Sequence, residues 1–470
     1  MLHGEMPMRD FMAYDIGRYA WTAIVMHLLG DSGIVGARIG AALFQCCTLV
    51  VGVLVVLRTA DRNVSSASKV LFASVVAVTL NLWAYPYYKV FDYGTSILIV
   101  AMLVLMLTSQ SPRHWFGAGV ILGLSAIMGR NHGVYGAFAA LMLMCFLLAK
   151  KHSLQALVRP SCAFIAGTIV GFSPTFALFA LVDGFATGFI ASVLDLINSG
   201  ATNIGLPVPW PWTIDRAKFG WVLWAIGVST GLGFIAIILL PVVAVITLVR
   251  RAGTSGQPID VLILCSSFVS IIYAHYAYSR ADLTHLALSI APLLLLVLSA
   301  GARYAGITVT SIAVLGMSLL TLAPEKSFLT QLLLQKPLAA ISVNNSTLYV
   351  FQSTAFQLRE AERVLATIPH ASDSFLALPN TPGLYAIYEK KMPIWEIYSL
   401  WPRNAAFENA ELARLKAAAP NVVLLSDHAL DERPEFRYSK THPVLYRWIK
   451  DNYRPSSEFS SATSFQVLVK

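Results

Sequence analysis

The feature that most limits what this chain can fold into is a succession of apolar runs, each close to the roughly twenty helical residues that cross a hydrocarbon core and each bounded by polar turns. They occupy residues 33–57, 67–85, 94–108, 115–128, 133–149 and 161–182. After a longer polar interval they resume at 220–249, 261–278, 286–300 and 304–322. Composition agrees: 56% of the residues are hydrophobic, 13% are charged and the mean hydropathy is +0.65, too little charge to cover a soluble core of 470 residues. The fold class expected is an all-α polytopic membrane bundle of about ten spans with short, antiparallel connections. All five cysteines (Cys46, Cys47, Cys145, Cys162, Cys265) fall in apolar runs, none at metal-ligand spacing with histidine, so neither a disulfide framework nor a zinc site is expected.

Lys and Arg alternate between connections, and cytoplasmic loops hold the excess of positive charge. Arg58 and Arg62, Arg113, the group Lys150, Lys151 and Arg159, the pair Arg250 and Arg251, and Arg303 take every second connection. The remaining loops then face outward. These are the opening stretch and the loops around Tyr87, Arg130, Trp210 and Asp282, together with everything beyond Leu322. From Glu325 charge becomes dense, and strand-like stretches (347–351, 374–378, 384–388, 421–426, 464–469) alternate with helix-like ones (356–368, 405–418). A membrane domain over 1–323, with 1–32 as its first external loop, followed by an extracytoplasmic α/β domain over 324–470, is the organisation expected. That C-terminal domain carries no glycine-rich phosphate loop and no nucleophile elbow, so its expected role is holding an acceptor or closing a site.

Residues 4–38, GEMPMRDFMAYDIGRYAWTAIVMHLLGDSGIVGAR, alternate acidic, aromatic and basic side chains just before the first span. Asp10 and Asp15 are the carboxylates, Arg9 and Arg18 their cationic neighbours, and residues 16–29 space their apolar side chains for a helix lying on a membrane surface. This is the pattern of a membrane-surface active site. Either carboxylate is a candidate general base, with Asp10 favoured. Asp15 also suits the helix cap before residue 16, and Asp10 also suits a surface ion pair with Arg9.

Among the outward loops, YSRADLTHL (278–286) places Asp282 or Thr284 to cap the following helix. Arg280 and His285 are there as phosphate donors, and the alternative is a plain capped turn. GRNHG (129–133) reads as a two-glycine turn presenting Arg130 and His132 on the same outer face. WAYPYYKVFDYG (83–94) gathers aromatic rings around Lys89 and Asp92, and PVPWPW (207–212) suits a loop over a site. A lipid-interface aromatic belt accounts for those rings without any ligand and is favoured over a sugar-stacking platform.

The segment GEMPMRDF, the amphipathic helix ending LLGDSG and the AR that opens the first span resemble the first external loop of GT-C glycosyltransferases. The nearest likeness is to the bacterial relatives of protein O-mannosyltransferases and of the lipid A aminoarabinose transferase. RADLTH is similar, more weakly, to the Arg, Asp and His placement these families use near the donor phosphate. The resemblance implies transfer of a sugar from a polyprenyl-phosphate donor to a glycan, lipid or protein acceptor on the outer face of a bacterial cytoplasmic membrane, within cell-envelope polysaccharide biosynthesis, by inverting displacement. Asp10 or Asp15 would be catalytic. Arg9, Arg18, Lys89, Arg130, His132, Arg280, Asp282 and His285 would bind substrate. A divalent cation, Mg or Mn, is compatible with that chemistry but not required, no protein metal site is expected, and membrane lipids rather than nucleic acid are the expected surroundings.

One departure bears on the catalytic assignment. In the family a first transmembrane helix and an acidic residue normally precede the G-x-x-P-x-R-D-F segment, whereas here Met1 stands only a few residues before it. The expectation is a chain lacking that helix, with the essential carboxylate either upstream or at Asp10 or Asp15. The rival class is a transporter or lipid flippase, which would place ionisable residues near the bilayer midplane. Asp and Glu are absent from the apolar runs as delimited above, which counts against it. A bare membrane anchor would not need so many spans.

Overall fold

The computed structural model describes residues 1–2, 4–58, 65–150, 152–199, 203–254, 260–323, 338–343, 346–370, 373–459 and 465–470. Arg62, Lys151, Glu325 and the start of the stretch expected at 464–469 lie outside them. A helix, α1 (Ile16–Leu29), begins and ends where the amphipathic pattern predicts, closed by Gly30 in the left-handed conformation (φ 65°). The apolar series follows as α2 (Ile34–Leu57), α3 (Ser66–Trp83), α4 (Val90–Thr108), α5 (Pro112–Met128), α6 (Arg130–Ala149) and α7 (Leu154–Leu181). The longer interval holds a second amphipathic helix, α8 (Phe185–Ser199). Beyond it come α9 (Arg216–Thr254), α10 (Val261–Ser279), α11 (Leu283–Ser289), α12 (Ala291–Tyr304) and α13 (Ile307–Leu322).

Seven of these helices are long and apolar enough to cross a membrane: α2, α3, α4, α6, α7, α9 and α10. The run at 286–300, expected as one span, is a pair, α11 and α12, bent by 62°. Pro292 stands in the first turn of α12, where it has no N–H to continue a helix from α11. Side chains such as Ile165 and Ile169 of α7 and Leu239 and Val243 of α9 lie exposed in bands that water would penalise and lipid covers. The chain therefore reads as a multi-pass membrane protein.

Helices α5 and α7 meet backbone to backbone. Gly119 and Gly123 on α5 face Gly167 and Gly171 on α7, and a Cβ at any of the four would collide with main-chain atoms of the other helix. Both helices carry the G-x-x-x-G spacing, which permits the close approach that dispersion forces and weak hydrogen bonds need in lipid.

The C-terminal region builds a four-stranded sheet from β3 (Phe375–Leu378), β4 (Val422–Leu425), β5 (Arg454–Pro455) and β6 (Gln466–Val469) in the order β3-β4-β6-β5. β3 runs parallel to β4 and the other pairs are antiparallel. Strands β3 and β4 are buried on both faces, as continuous apolar runs require. Ala361, Val364 and Leu365 of α14 (Gln352–Thr367) cover one face. Leu415 of α16 (Ala405–Ala418) and Leu445 and Ile449 of α17 (Pro443–Asn452) cover the other. A separate hairpin, β1 (Ala339–Val343) with β2 (Ser346–Val350), precedes it. The stretch 384–388, expected as a strand, is instead a helical turn, α15 (Gly383–Ile387). Pro382 opens that turn, and Leu384 and Tyr385 point from it into the sheet, Tyr385 stacking on Phe375 with ring centroids 4.8 Å apart.

Candidate functional site

The start of α1 is pressed onto the end of α5. A Cβ at Gly17 would lie 2.7 Å from the Ile127 carbonyl oxygen, so only glycine lets the helices approach this closely. Asp15, just before it, is thereby buried, and its carboxylate does not cap α1. It accepts the backbone N–H of Arg130 at 3.1 Å and lies 3.0 Å from the Nε of the same residue. Arg130 also donates to the Tyr14 carbonyl (2.7 Å) and to Ser192 Oγ of α8 (3.2 Å). Burial raises the Asp15 carboxyl above the usual aspartate value, outweighing Arg130 and Arg18.

Arg18, one turn along, donates to the Met128 carbonyl and, at 3.0 Å, to Asp92 Oδ1. Asp92 lies in the first turn of α4, because that helix starts at Val90 rather than at the expected residue 94. His132 Nε2 donates to the same carboxylate oxygen at 2.7 Å. Its Nδ1 lies 2.7 Å from the Tyr273 hydroxyl. GRNHG is consequently not an exposed turn: α6 already begins at Arg130, and His132, two helical positions on, points away from Arg130 into the bundle, where it is fully buried.

RADLTH behaves as its cap pattern predicts. Asp282 accepts the backbone N–H of His285 at 2.8 Å and its Nδ1–H at 2.8 Å, and Nε2 of the buried ring has no hydrogen-bond partner among the described residues. Arg280 donates through Nε to Asp282 (2.8 Å) and through Nη1 and Nη2 to Asp431 of the C-terminal region (2.8 and 2.7 Å). Burial opposes ionisation of Asp282, but the bonds from His285 and Arg280 prevail and hold it below the usual carboxylate value.

Two adjoining cavities join these groups. The smaller, about 390 Å³, is lined by Asp15, Asp92, Arg130, Asp195, Arg403 and Trp401 among others. The larger, about 1000 Å³, has an apolar wall including Met26, Ile34, Ala41 and Phe91, and carries Arg280 and His285. Tyr14, Arg18, Lys89, Asn203 and Trp401 line both. Lys89 lies 5.9 Å from the centre of the Tyr14 ring, and burial lowers its ammonium below the usual lysine value. The C-terminal region closes these spaces. Arg403 pairs with Asp195 at 3.0 Å and with the buried Glu396, and Trp395 Nε1 donates to the Met8 carbonyl at 3.1 Å.

Of the residues expected from the sequence, Asp15, Arg18, Lys89 and Arg130 come together at the smaller cavity, and Arg18, Lys89, Arg280 and His285 at the larger. His132 and Asp282 stand behind the walls, each bonded to a wall residue. Arg9 and Asp10 line neither cavity. They pair with each other at 2.7 Å, about one-third exposed, and Arg9 lowers the Asp10 carboxyl. Asp92, Tyr273, Asn203, Asp195, Trp401 and Arg403 belong to the arrangement and were not singled out as site residues. An aspartate two residues ahead of an apolar run is a legible signal for Asp92, whereas Arg403 comes from too far along the chain for any local pattern. Among the described residues no group of three or more His, Cys, Asp or Glu side chains comes together to hold a metal ion. Compared with models of known families and with curated proteins, the chain has no significant match.

Proposed function

We propose that the chain is a membrane glycosyltransferase that moves a sugar from a polyprenyl-phosphate carrier to an acceptor hydroxyl on the outer face of the cytoplasmic membrane. In this reading its ten apolar runs cross that membrane and the C-terminal region lies outside. One observation carries the reading: a buried carboxylate, Asp15, lines a chamber with Asp92, Arg130, Asp195 and Arg403, and this chamber shares Arg18, Lys89 and Tyr14 with a larger one. The larger chamber suits a prenyl chain with its phosphate beside the cations. The smaller suits the sugar and the acceptor. The resemblance of residues 4–38 to the first external loop of GT-C enzymes supports the same assignment.

The acceptor oxygen attacks the anomeric carbon while Asp15 takes its proton. The bond from that carbon to the phosphate oxygen breaks on the opposite face, and polyprenyl phosphate leaves with the electron pair. A carboxyl raised by burial is a better base than an ordinary aspartate, and Arg130 fixes its direction. Arg18, Lys89 and Arg280 meet the charge that grows on the leaving phosphate. The test is turnover of a polyprenyl-phosphate sugar by the purified protein in lipid, comparing Asp15→Asn with the parent. Retention of full turnover by Asp15→Asn removes Asp15 from the chemistry, and no consumption of any such donor removes the reading.

A second reading draws on Asp92, His132 and Tyr273, ionisable groups bonded in series inside α4, α6 and α10. Buried acidic residues within spans mark ion or substrate paths in transporters. A lipid flippase would move the carrier in proteoliposomes without consuming the sugar.

A further inference from the structure

Arg280 offers its guanidinium fork to a carboxylate that comes from far along the chain. Nη1 donates to Asp431 Oδ2 at 2.8 Å and Nη2 to Oδ1 at 2.7 Å, one carboxylate oxygen on each terminal nitrogen. Two acceptor oxygens in one plane are also what the unbridged oxygens of a phosphate present, and arginine binds the two groups in the same bidentate manner. Asp431 reaches this position on a backbone that few side chains adopt: Asp431 and Glu432 both have positive φ, 54° and 58°. Consecutive non-glycine residues in the left-handed region cost free energy that the surrounding contacts must offset. Leu430, next to them, lines the larger cavity. Arg433 ties the same segment to the membrane bundle through the Gly205 carbonyl.

A second, independent feature marks the same corner. His285 lines the same cavity as Arg280, its side chain is 8% exposed, and among the described residues Nε2 has no hydrogen-bond partner while Nδ1 is held by Asp282. The closed arrangement therefore leaves a buried polar atom unsatisfied in the wall that Arg280 shares. Asp431 completes Arg280 but leaves His285 unfilled. A phosphate accepts from the Arg280 fork in the place that Asp431 leaves.

We propose that Asp431 is a displaceable latch: it holds on Arg280 the seat that the carrier's phosphate takes, so binding of the carrier releases segment 428–437 from the membrane bundle. This rests on the glycosyl-transfer reading and adds its regulation. The C-terminal region closes the empty chamber and yields it to a lipid-linked phosphate. A prenyl alcohol, lacking the anion, does not exchange with Asp431.

The experiment is hydrogen–deuterium exchange of the full chain in lipid nanodiscs, with farnesyl phosphate, farnesol or inorganic phosphate, alongside the affinity for farnesyl phosphate. Farnesyl phosphate is expected to speed exchange across 428–437, and farnesol and equimolar inorganic phosphate are not. Asp431→Asn, a residue that tolerates positive φ, is expected to exchange fast there without ligand and to bind farnesyl phosphate about 3- to 10-fold more tightly. Asp431→Gly, which suits the same backbone, repeats the test without a side chain. Slower exchange of the segment on binding, or equal affinity of all three proteins, overturns the latch and leaves glycosyl transfer standing. Equal release by inorganic phosphate overturns it as a latch worked by the carrier. No binding of farnesyl phosphate to any of them overturns both the latch and the carrier reading.

Discussion

Asp15 and Arg130 meet twice, through the backbone N–H at 3.1 Å and through Nε at 3.0 Å, so the residue before α1 is locked to the residue that opens α6. A carboxylate used only to cap α1 would bond to the amides of its own helix, and Asp15 does not.

Asp15→Asn is expected to slow turnover by about 10²- to 10⁴-fold with donor still bound, the range for loss of general-base assistance. Asp10→Asn should leave turnover within about 3-fold, because Asp10 faces Arg9 rather than a cavity and an exposed pair contributes little. Steady-state kinetics on the two variants in nanodiscs settle the choice, and the reverse ranking would return the chemistry to Asp10.

The pH–rate profile separates the same two residues by sign. Burial raises the Asp15 carboxyl, so if Asp15 is the base the acid limb of kcat lies above the ordinary aspartate value of about 3.9. Arg9 lowers the Asp10 carboxyl, and a limb set by Asp10 would lie below it.

Folded-state stability should respond to acid through Asp431 and Asp282. The bond from Arg280 lowers Asp431. Burial works against ionisation of Asp282, but bonds from His285 and Arg280 lower it as well. Their contribution is full above the unfolded value of about 3.9 and is lost as pH falls through the lower folded values. Tryptophan fluorescence during thermal unfolding, followed through Trp395 and Trp401, should show a midpoint that holds from about pH 8 to 5 and falls below about pH 4. Asp431→Asn should flatten the acid side of that curve.

Much of the fold was legible because its signals are local. The apolar spacing of residues 16–29 marks out α1, although Asp15 does not cap it, and RADLTH announces its own cap. The misreadings arose where two periodicities share one composition. Residues 384–388 form a short apolar run like a buried strand, yet they make a helical turn behind Pro382. The glycines of GRNHG suggest a turn, yet only Gly129 breaks the helices. Assembly of the site was not legible, since Asp15 meets Arg130, Arg18 meets Asp92, and Arg280 meets Asp431 across separations that no window of sequence spans.

Removing Asp92 should damage the bundle more than removing Asp15. Asp92→Ala leaves Arg18 and His132 without their shared carboxylate in a buried place, a loss worth about 3–5 kcal/mol. Thermal unfolding in nanodiscs should fall well below that of Asp15→Asn. A midpoint equal to the parent's would mean that neither cation depends on Asp92.

Topology follows from the Lys and Arg alternation. Reporter fusions after Arg58, Lys150 and Arg251 should report cytoplasm, and fusions after Tyr87, Trp212 and Val343 the outer side. A cytoplasmic signal at Val343 would place the C-terminal region and the loops it covers on opposite faces.

Trp395 grips residues 8 and 12 from both directions, donating its indole N–H to Met8 and accepting the Met12 amide at the main chain. The partners of the indole bond are separated by 387 residues. At about 5–20 residues per second, a ribosome needs roughly 20–80 s to supply the second partner after the first. The Trp395 contact therefore forms late, long after Arg130 is there to hold Asp15, and a nascent chain arrested ahead of Trp395 should present residues 6–12 to protease more readily than the full chain does.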